Sequence, residues 1–309
     1  MNRTRRRFLA GIPCFLGWGS ACNNRHSFEQ SQTLLATTGL VADLVKMVAG
    51  PSWEVVSLMG PGIDPHTFEP SYGALRRLTS SRMVFFHGLH LEGKMAEILH
   101  RLAEREPNRY QAVTDDLPAS SILGENVESP DPHVWMDAKL WSDCLDPILR
   151  AMERTDPENA TKYRKWTAEA KSSLARLDLE MRRLLSGVPE SKRVLITAHD
   201  AFAYFGRAYT FQVEGVQGIS TATEATTHRL EEVARILVER KIGAVFLESS
   251  VNPRTLTKIR EIAKRMDPGA RVREGGTLYS DSLGDPGGGA DTHNGMMLAN
   301  ARTLVEALR

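Results

Sequence analysis

The chain has 309 residues, 39 Lys plus Arg against 38 Asp plus Glu, 41% hydrophobic residues and three Cys. That length suggests two domains and that composition an ordinary packed core, which excludes a disordered or fibrous chain. A formal charge of +1 leaves no excess of bases to hold a polyanion, so nucleic acid is not expected as a partner.

The near-balance hides an asymmetry at the start of the chain. Arg3, Arg5, Arg6 and Arg7 precede the first acid, Glu29, and without residues 1–21 there are 35 bases against 38 acids, a net charge of −3. Thr4-Arg5-Arg6-Arg7-Phe8-Leu9 leads into a weakly apolar run, Ala10 to Ala21, that ends in small residues. About a dozen residues fall short of the roughly 20 needed to span a bilayer, so this segment reads as an export signal with a cleavage site. Its Arg pair resembles the twin-arginine address. Gly19-Ser20-Ala21-Cys22 resembles the end of a bacterial lipobox, although Gly19 departs from the usual Leu. Cys22 is then a lipid attachment point to the membrane surface, Cys14 is discarded, and Cys144 is left as buried filler on a helix expected over Leu140–Met152.

A polar tether covers the rest of residues 1–29. Thr33–Thr38 reads as a buried strand and Gly39–Gly50 as a helix stopped by its glycine. Strand-like runs follow at Glu54–Leu58, Met83–Phe86, Arg193–Thr197, Ala244–Leu247 and Arg271–Arg273, alternating with helical stretches, the pattern of parallel α/β sheets. One long stretch interrupts the alternation. It opens at Thr155-Asp156-Pro157-Glu158 with capping-box spacing and an early Pro, and nothing breaks it before Gly187. About 30 residues at 1.5 Å each make a helix of roughly 45 Å, long enough to run the length of two lobes. The expected organisation is an α/β lobe over 30–150, a rigid linking helix over 151–187 and a second α/β lobe over 188–309.

Asp-Pro-His occurs twice, at Asp64-Pro65-His66 and Asp131-Pro132-His133. Pro fixes its own φ and restricts the residue before it, so each loop can hold its His in a set direction. His199 differs in kind. An apolar strand delivers it at its carboxyl end, where ligands of open α/β sheets bind, with Asp200 placed to cap the next helix. Three such His suit a divalent transition metal, and an anionic fourth ligand would offset part of its charge. Asp281 is a loop acid in the right half of the chain.

Gly62-Ile63-Asp64-Pro65-His66-Thr67-Phe68-Glu69-Pro70, His87-Gly88-Leu89-His90-Leu91-Glu92-Gly93, Asp131-Pro132-His133-Val134-Trp135-Met136-Asp137, Ala198-His199-Asp200-Ala201-Phe202, Gly215-Val216-Gln217-Gly218-Ile219-Ser220 and Ser280-Asp281-Ser282-Leu283-Gly284 together resemble the metal-binding receptors of ABC importers, the cluster 9 or TroA-like family, from about Thr33 to Arg309. The resemblance implies two α/β lobes joined by one long helix, a single metal ion held between them, and delivery to a membrane permease driven by a separate ATPase subunit. Carried over by motif, the ligands are His66, His133, His199 and Asp281. Some relatives have Glu at the third position, and the long His-rich loop of many zinc-dedicated relatives is missing, since Thr114–Pro130 holds no His. Both facts point to Zn2+ or Mn2+, with Fe2+ also within reach of the donor set. His293-Asn294 departs from the Thr-Tyr common in relatives.

The remaining His residues read as structural or exposed: His87 and His90 as flanks of a turn, the alternative being groups that orient a ligand, His100 and His228 as surface, His26 as tether, with His293 undecided. Glu248 faces the same sheet edge as His199, as a supporting acid or a helix-start charge, not as a ligand. A catalytic zinc usually keeps three protein ligands and an open water position. Four ligands and no His-Glu-x-x-His motif favour reversible capture over catalysis, the alternative being a secreted metallohydrolase on the same His cluster. No Gly-x-x-x-x-Gly-Lys-Ser/Thr motif is present, so the energy must come from the partner ATPase. The expected protein is an exported monomer, periplasmic or lipid-anchored on the extracytoplasmic face.

Overall fold

A computed structural model describes residues 33–126 and 129–309; the expected signal, Cys22 and His26 lie outside them. In the first half, β1 (Thr33–Ala36), α1 (Gly39–Ala49), β2 (Glu54–Ser57), α2 (Tyr72–Ser80), β3 (Met83–Phe86), α3 (Ala96–Arg105) and β4 (Tyr110–Ala112) lead to a short antiparallel pair, β5 (Gly124–Asn126) and β6 (Ser129–Pro130). After α4 (Ala138–Asp143), α5 (Leu145–Thr155) and α6 (Ala160–Leu185) come β7 (Val194–His199), α7 (Ala203–Tyr209), β8 (Gln212–Gln217), α8 (Thr227–Glu239), β9 (Ala244–Glu248), α9 (Arg254–Met266), β10 (Arg273–Leu278) and α10 (His293–Leu308). The chain therefore folds as two α/β lobes, each on a four-stranded parallel sheet, in the orders β2-β1-β3-β4 and β10-β9-β7-β8.

Side-chain alternation along the central strands explains their burial on both faces. In β1, Leu34 and Ala36 enter the core that continues through α6 into the second lobe, whereas Leu35 packs on the other side with Val84, Phe86 and Leu99. In β7, Leu195 joins the shared core and Val194, Ile196 and Ala198 join a cluster under α8 and α9. Helix starts are set by local donors and acceptors. Thr38 Oγ1 accepts from Val41 N at 3.2 Å to open α1, and Gly50 at φ 66° closes it.

The spine is α6. Its 26 residues span about 39 Å, and the buried positions Tyr163, Thr167, Ala170, Leu174, Leu177, Met181 and Leu185 recur every three or four residues, one continuous stripe. That stripe packs on α1, α4 and α5 of the first lobe and on α10 of the second. Emptying the wholly buried Leu174 site by truncation to Ala costs about 2–5 kcal/mol. The capping box expected at Thr155–Glu158 does not form. Asp156 instead accepts from Asn159 Nδ2 at 2.9 Å and from the Tyr163 hydroxyl at 2.6 Å, and a single 3-10 turn, Pro157–Asn159, precedes the helix.

Other expectations are corrected. The helix expected over Leu140–Met152 is two helices broken at Cys144, because Pro147 has no N–H to give to the carbonyl of Asp143. The strand placed at Arg271–Arg273 runs instead from Arg273 to Leu278. Its Gly275-Gly276 pair hides it from a propensity reading, yet a Cβ at Gly275 would stand 2.5 Å from the Phe246 ring, and Gly276 at φ 121° lies in the register shift between Glu274 and Thr277. Asp200 does not cap α7. That helix starts from Phe202 without a side-chain cap, and the Asp200 backbone N–H donates to Gly218 O. The strands β4 and β8, which no apolar run announces, are sheet edges and need to be buried only in part.

Candidate metal centre

Both Asp-Pro-His tripeptides fold the same way. The backbone N–H of the His donates to the Asp carboxylate two residues earlier, at 2.9 Å for His66 on Asp64 and at 2.9 Å for His133 on Asp131. This Asx turn, stiffened by the intervening Pro, aims the imidazole away from the loop and towards the cleft. The carboxylates then diverge. Asp64 also accepts from Thr67 Oγ1 and, across the lobes, from Thr221 Oγ1 at 2.5 Å. Asp131 Oδ1 lies 2.7 Å from His133 Nδ1, leaving Nε2 of that ring for the cleft.

His199 ends β7, and Glu248 ends the adjacent β9. Glu248 Oε1 accepts from the His199 backbone N–H at 2.9 Å, and Oε2 stands 2.6 Å from His199 Nδ1, an ion-pair distance with the oxygen off the N–H axis. Asp281 follows β10, with Ser250 Oγ donating to its Oδ2 at 3.2 Å. Trp135 Nε1–H donates to Ser280 O at 2.8 Å and the Tyr204 hydroxyl donates to Asp131 O at 2.7 Å, so the loops carrying His133 and Asp281 are tied across the lobes.

All four expected residues meet at one point. His66 Nε2 is 3.3 Å from His133 Nε2, Asp281 Oδ1 is 3.4 Å from His133 Nε2, and Asp281 Oδ2 is 3.3 Å from His199 Nε2. One ligand atom from each residue lies within 4.8 Å of the others. A tetrahedron of donor bonds about 2.0–2.1 Å long has edges of about 3.3–3.4 Å, so the three short separations match the span of a first-row divalent ion. His66 is 5% exposed, Asp281 1% and the other two fully buried. His199 Nε2 and Asp281 Oδ1 are buried without a hydrogen-bond partner, a costly arrangement for protein alone and the natural one for atoms that share a cation.

The charges agree with that reading. Burial pushes His66 down to about 4. Burial opposes charge on His133 and His199 more than any single group favours it, but Asp131 with Asp281 at His133, and Glu248 with Asp281 at His199, together outweigh it; His133 is pushed up to about 9 and His199 well above the usual imidazole range. Asp281 is held well below the carboxylate range because His199 and His133 outweigh its burial. Cations are favoured at this point, and protons and a metal ion compete for the same lone pairs.

Three other residues, all within the His87–Gly93 motif, support the site; the motif assigns them no ligand role, and their contacts are long-range. The buried Glu92 accepts from Thr37 Oγ1 at 2.8 Å and from the His87 backbone N–H at 2.5 Å. His87, neutral because burial pushes it down to about 3, donates from Nε2 to Pro132 O at 2.7 Å and so steadies the His133 loop. Gly93 at φ 47° lies under His66, where a Cβ would come 2.1 Å from the His66 carbonyl oxygen. His90, His100 and His228 are exposed. His293 is buried and structural. It binds Trp135 O through Nε2 at 2.8 Å and Asp43 Oδ2 through its backbone N–H at 2.9 Å, while Asn294 reaches Ser173 on α6.

Residues 34–307 match the family described as zinc-uptake complex component A, periplasmic. The chain is 39% identical over 285 residues to the manganese-binding lipoprotein MntA of Bacillus subtilis strain 168, covering 92% of each. It is 35% identical over 302 residues to the zinc-binding protein TroA of Treponema pallidum strain Nichols, covering 96% of this chain and 97% of that one. The solved periplasmic zinc binding protein TroA from Treponema pallidum superposes with a TM-score of 0.84 at 37% identity, over 89% of this chain and 98% of that chain. Two parallel-sheet lobes on one long helix, with three His and one Asp converging between them, are what the sequence motifs led one to expect, and the chain belongs to the zinc-uptake component A family.

Proposed function

We propose that this protein is the extracytoplasmic receptor of a metal ABC importer. It captures one Zn2+ or Mn2+ between its lobes through His66, His133, His199 and Asp281 and passes it to a permease served by a separate ATPase. The observation that carries the reading is the convergence of four buried donor atoms, two of them otherwise unpartnered. Imidazole nitrogen and carboxylate oxygen suit both ions, and intrinsic affinity favours Zn2+, so selection rests on geometry and supply. The names of the relatives, one manganese-binding and one zinc-binding, support the same pair.

Capture fits the site better than turnover. Every donor is buried, and a hydrolase needs an open coordination position and a substrate beside it. The functional units in this reading are 30–150, 151–187 and 188–309, with the metal on their common cleft, and the protein acts as a monomer. Lipid attachment at Cys22 after export would hold it near its permease; among the described residues no helix is long and apolar enough to cross a membrane.

Titration calorimetry on chelator-stripped protein tests the assignment. One equivalent of Zn2+ or Mn2+ should bind at neutral pH and raise the melting temperature. Lack of binding by either ion, or full binding by a His66→Ala, His133→Ala double variant, would overturn it.

A further inference from the structure

We propose that the second lobe carries an anion-binding pocket for a phosphate-bearing ligand, on the sheet edge opposite the metal centre. A cavity of about 350 Å3 opens where β7, β9 and β10 begin. Five cationic residues line it, Lys192, Arg240, Lys241, Arg273 and Arg309, and among the described residues no Asp or Glu does.

What distinguishes this cluster is that five bases share the wall of one cavity with no lining Asp or Glu. The chain beyond the signal is net acidic, yet five bases gather here. Some cations elsewhere in the fold stand beside a carboxylate, as in Arg164 with Glu153, Lys171 with Asp146, Arg182 with Asp178 and Arg260 with Glu274. Among the described residues, none of the five has an Asp or Glu carboxylate within 4 Å. Like charges held together repel and destabilise the fold, and a bound anion removes that repulsion.

The pocket is also shaped for recognition. Arg273 is pinned, its Nη2 donating to Ala307 O at 2.5 Å, so one guanidinium stands pre-placed at the rim. Guanidinium forks match phosphate oxygens in pairs, and lysines add point charge. Lys241 sits at φ 53°, on the tight turn that leaves α8, and nothing stands within 4 Å of the Cβ position of Gly243, so the wall is open to a ligand there. Val194, Ile242, Ala244 and Leu308 supply a low-dielectric wall that strengthens the field of the cations. A volume near the lower end of small-molecule sites, about 300–1,000 Å3, fits a phosphate with a small organic group. β7 separates this pocket from His199 by its full six residues, roughly 20 Å, so occupancy and metal capture are independent.

The ligand has two sources of the same chemistry, a soluble phosphate ester or the headgroup of an anionic phospholipid. The full-length protein, metal-loaded, is titrated at about 0.15 M salt with inorganic phosphate, with glycerol 3-phosphate, and with vesicles of phosphatidylglycerol against phosphatidylcholine. Saturable binding of a soluble probe assigns the ester, and binding to phosphatidylglycerol vesicles alone assigns the headgroup. Either should weaken at least tenfold in an Arg240→Gln, Lys241→Gln variant and survive in Arg240→Lys, with Zn2+ affinity unchanged in both. The proposal is overturned if no probe saturates, if both vesicle types bind equally and soluble probes do not, or if the double-Gln variant binds as tightly as wild type.

Discussion

Asp131 offers the sharpest test of how this centre holds its ion. Replacing it by Asn keeps its shape and an acceptor for the His133 backbone N–H, but removes the charge 2.7 Å from His133 Nδ1. Across the imidazole that charge sits roughly 6–7 Å from the ion, and at an effective dielectric of about 20 its attraction for a divalent cation is about 5 kcal/mol. The same charge also favours the competing proton, since burial of His133 is outweighed by Asp131 and Asp281 together and the ring is pushed up to about 9. A proton carries half the charge of the metal, so about half of the loss is returned and a net penalty of about 2.5 kcal/mol remains, roughly 70-fold in affinity. That lies within the 10- to 100-fold usual for groups that orient a metal-bound imidazole. Competition against a chelator of known affinity, at pH 7 and on protein whose circular dichroism matches wild type, measures it. An Asp131→Asn variant within twofold of wild type would refute the claim that this carboxylate tunes the ligand rather than only shaping the loop.

Three further predictions follow from burial and backbone geometry. Burial pushes His293 down to about 4, so between that value and its unfolded value near 6.5 the unfolded chain binds the extra proton; the stability His293 contributes is full above about 6.5 and is lost as pH falls towards 4. At pH 5 the loss is about 2 kcal/mol, and urea melts of metal-stripped protein should show less stability lost between pH 7 and pH 5 in His293→Gln than in wild type; equal losses would count against it. Gly93→Ala forces a Cβ to 2.1 Å from His66 O at φ 47°, so a stability loss of at least about 2 kcal/mol and weaker metal binding are expected from melting and titration, and a neutral result would contradict the packing described. Cys144 is fully buried, and burial raises its thiol well above the usual range; a thiol reagent should label it in denaturant but not in the native protein, and native labelling would show the break between α4 and α5 to be open.

Much of this molecule could be read before its structure. The central strands β1, β3, β7 and β9 are buried on both faces and so announce themselves as apolar runs. The stripe of α6 is legible for the same reason, one face of a helix repeated over seven turns. The doubled Asp-Pro-His marks two candidate ligands because each loop is set by contacts within three residues. The edge strands β4 and β8 carry no such mark, since half of their surface can stay polar. β10 is disguised by Gly275-Gly276, whose need for close approach to Phe246 exists only once β9 lies beside it.

The features legible along the chain are therefore local: alternation, helical stripe, Pro-stiffened turns, and the donor chemistry of His66, His133, His199 and Asp281. Which distant groups meet depends on the packed fold. Glu248 reaches His199 across 49 residues, Trp135 reaches Ser280 across 145, and Glu92 bonds Thr37 across 55. The reason is physical. Periodicity and capping act over a few residues, whereas the positions of these partners follow from two sheets packed on one spine, a placement set by the burial of the whole core.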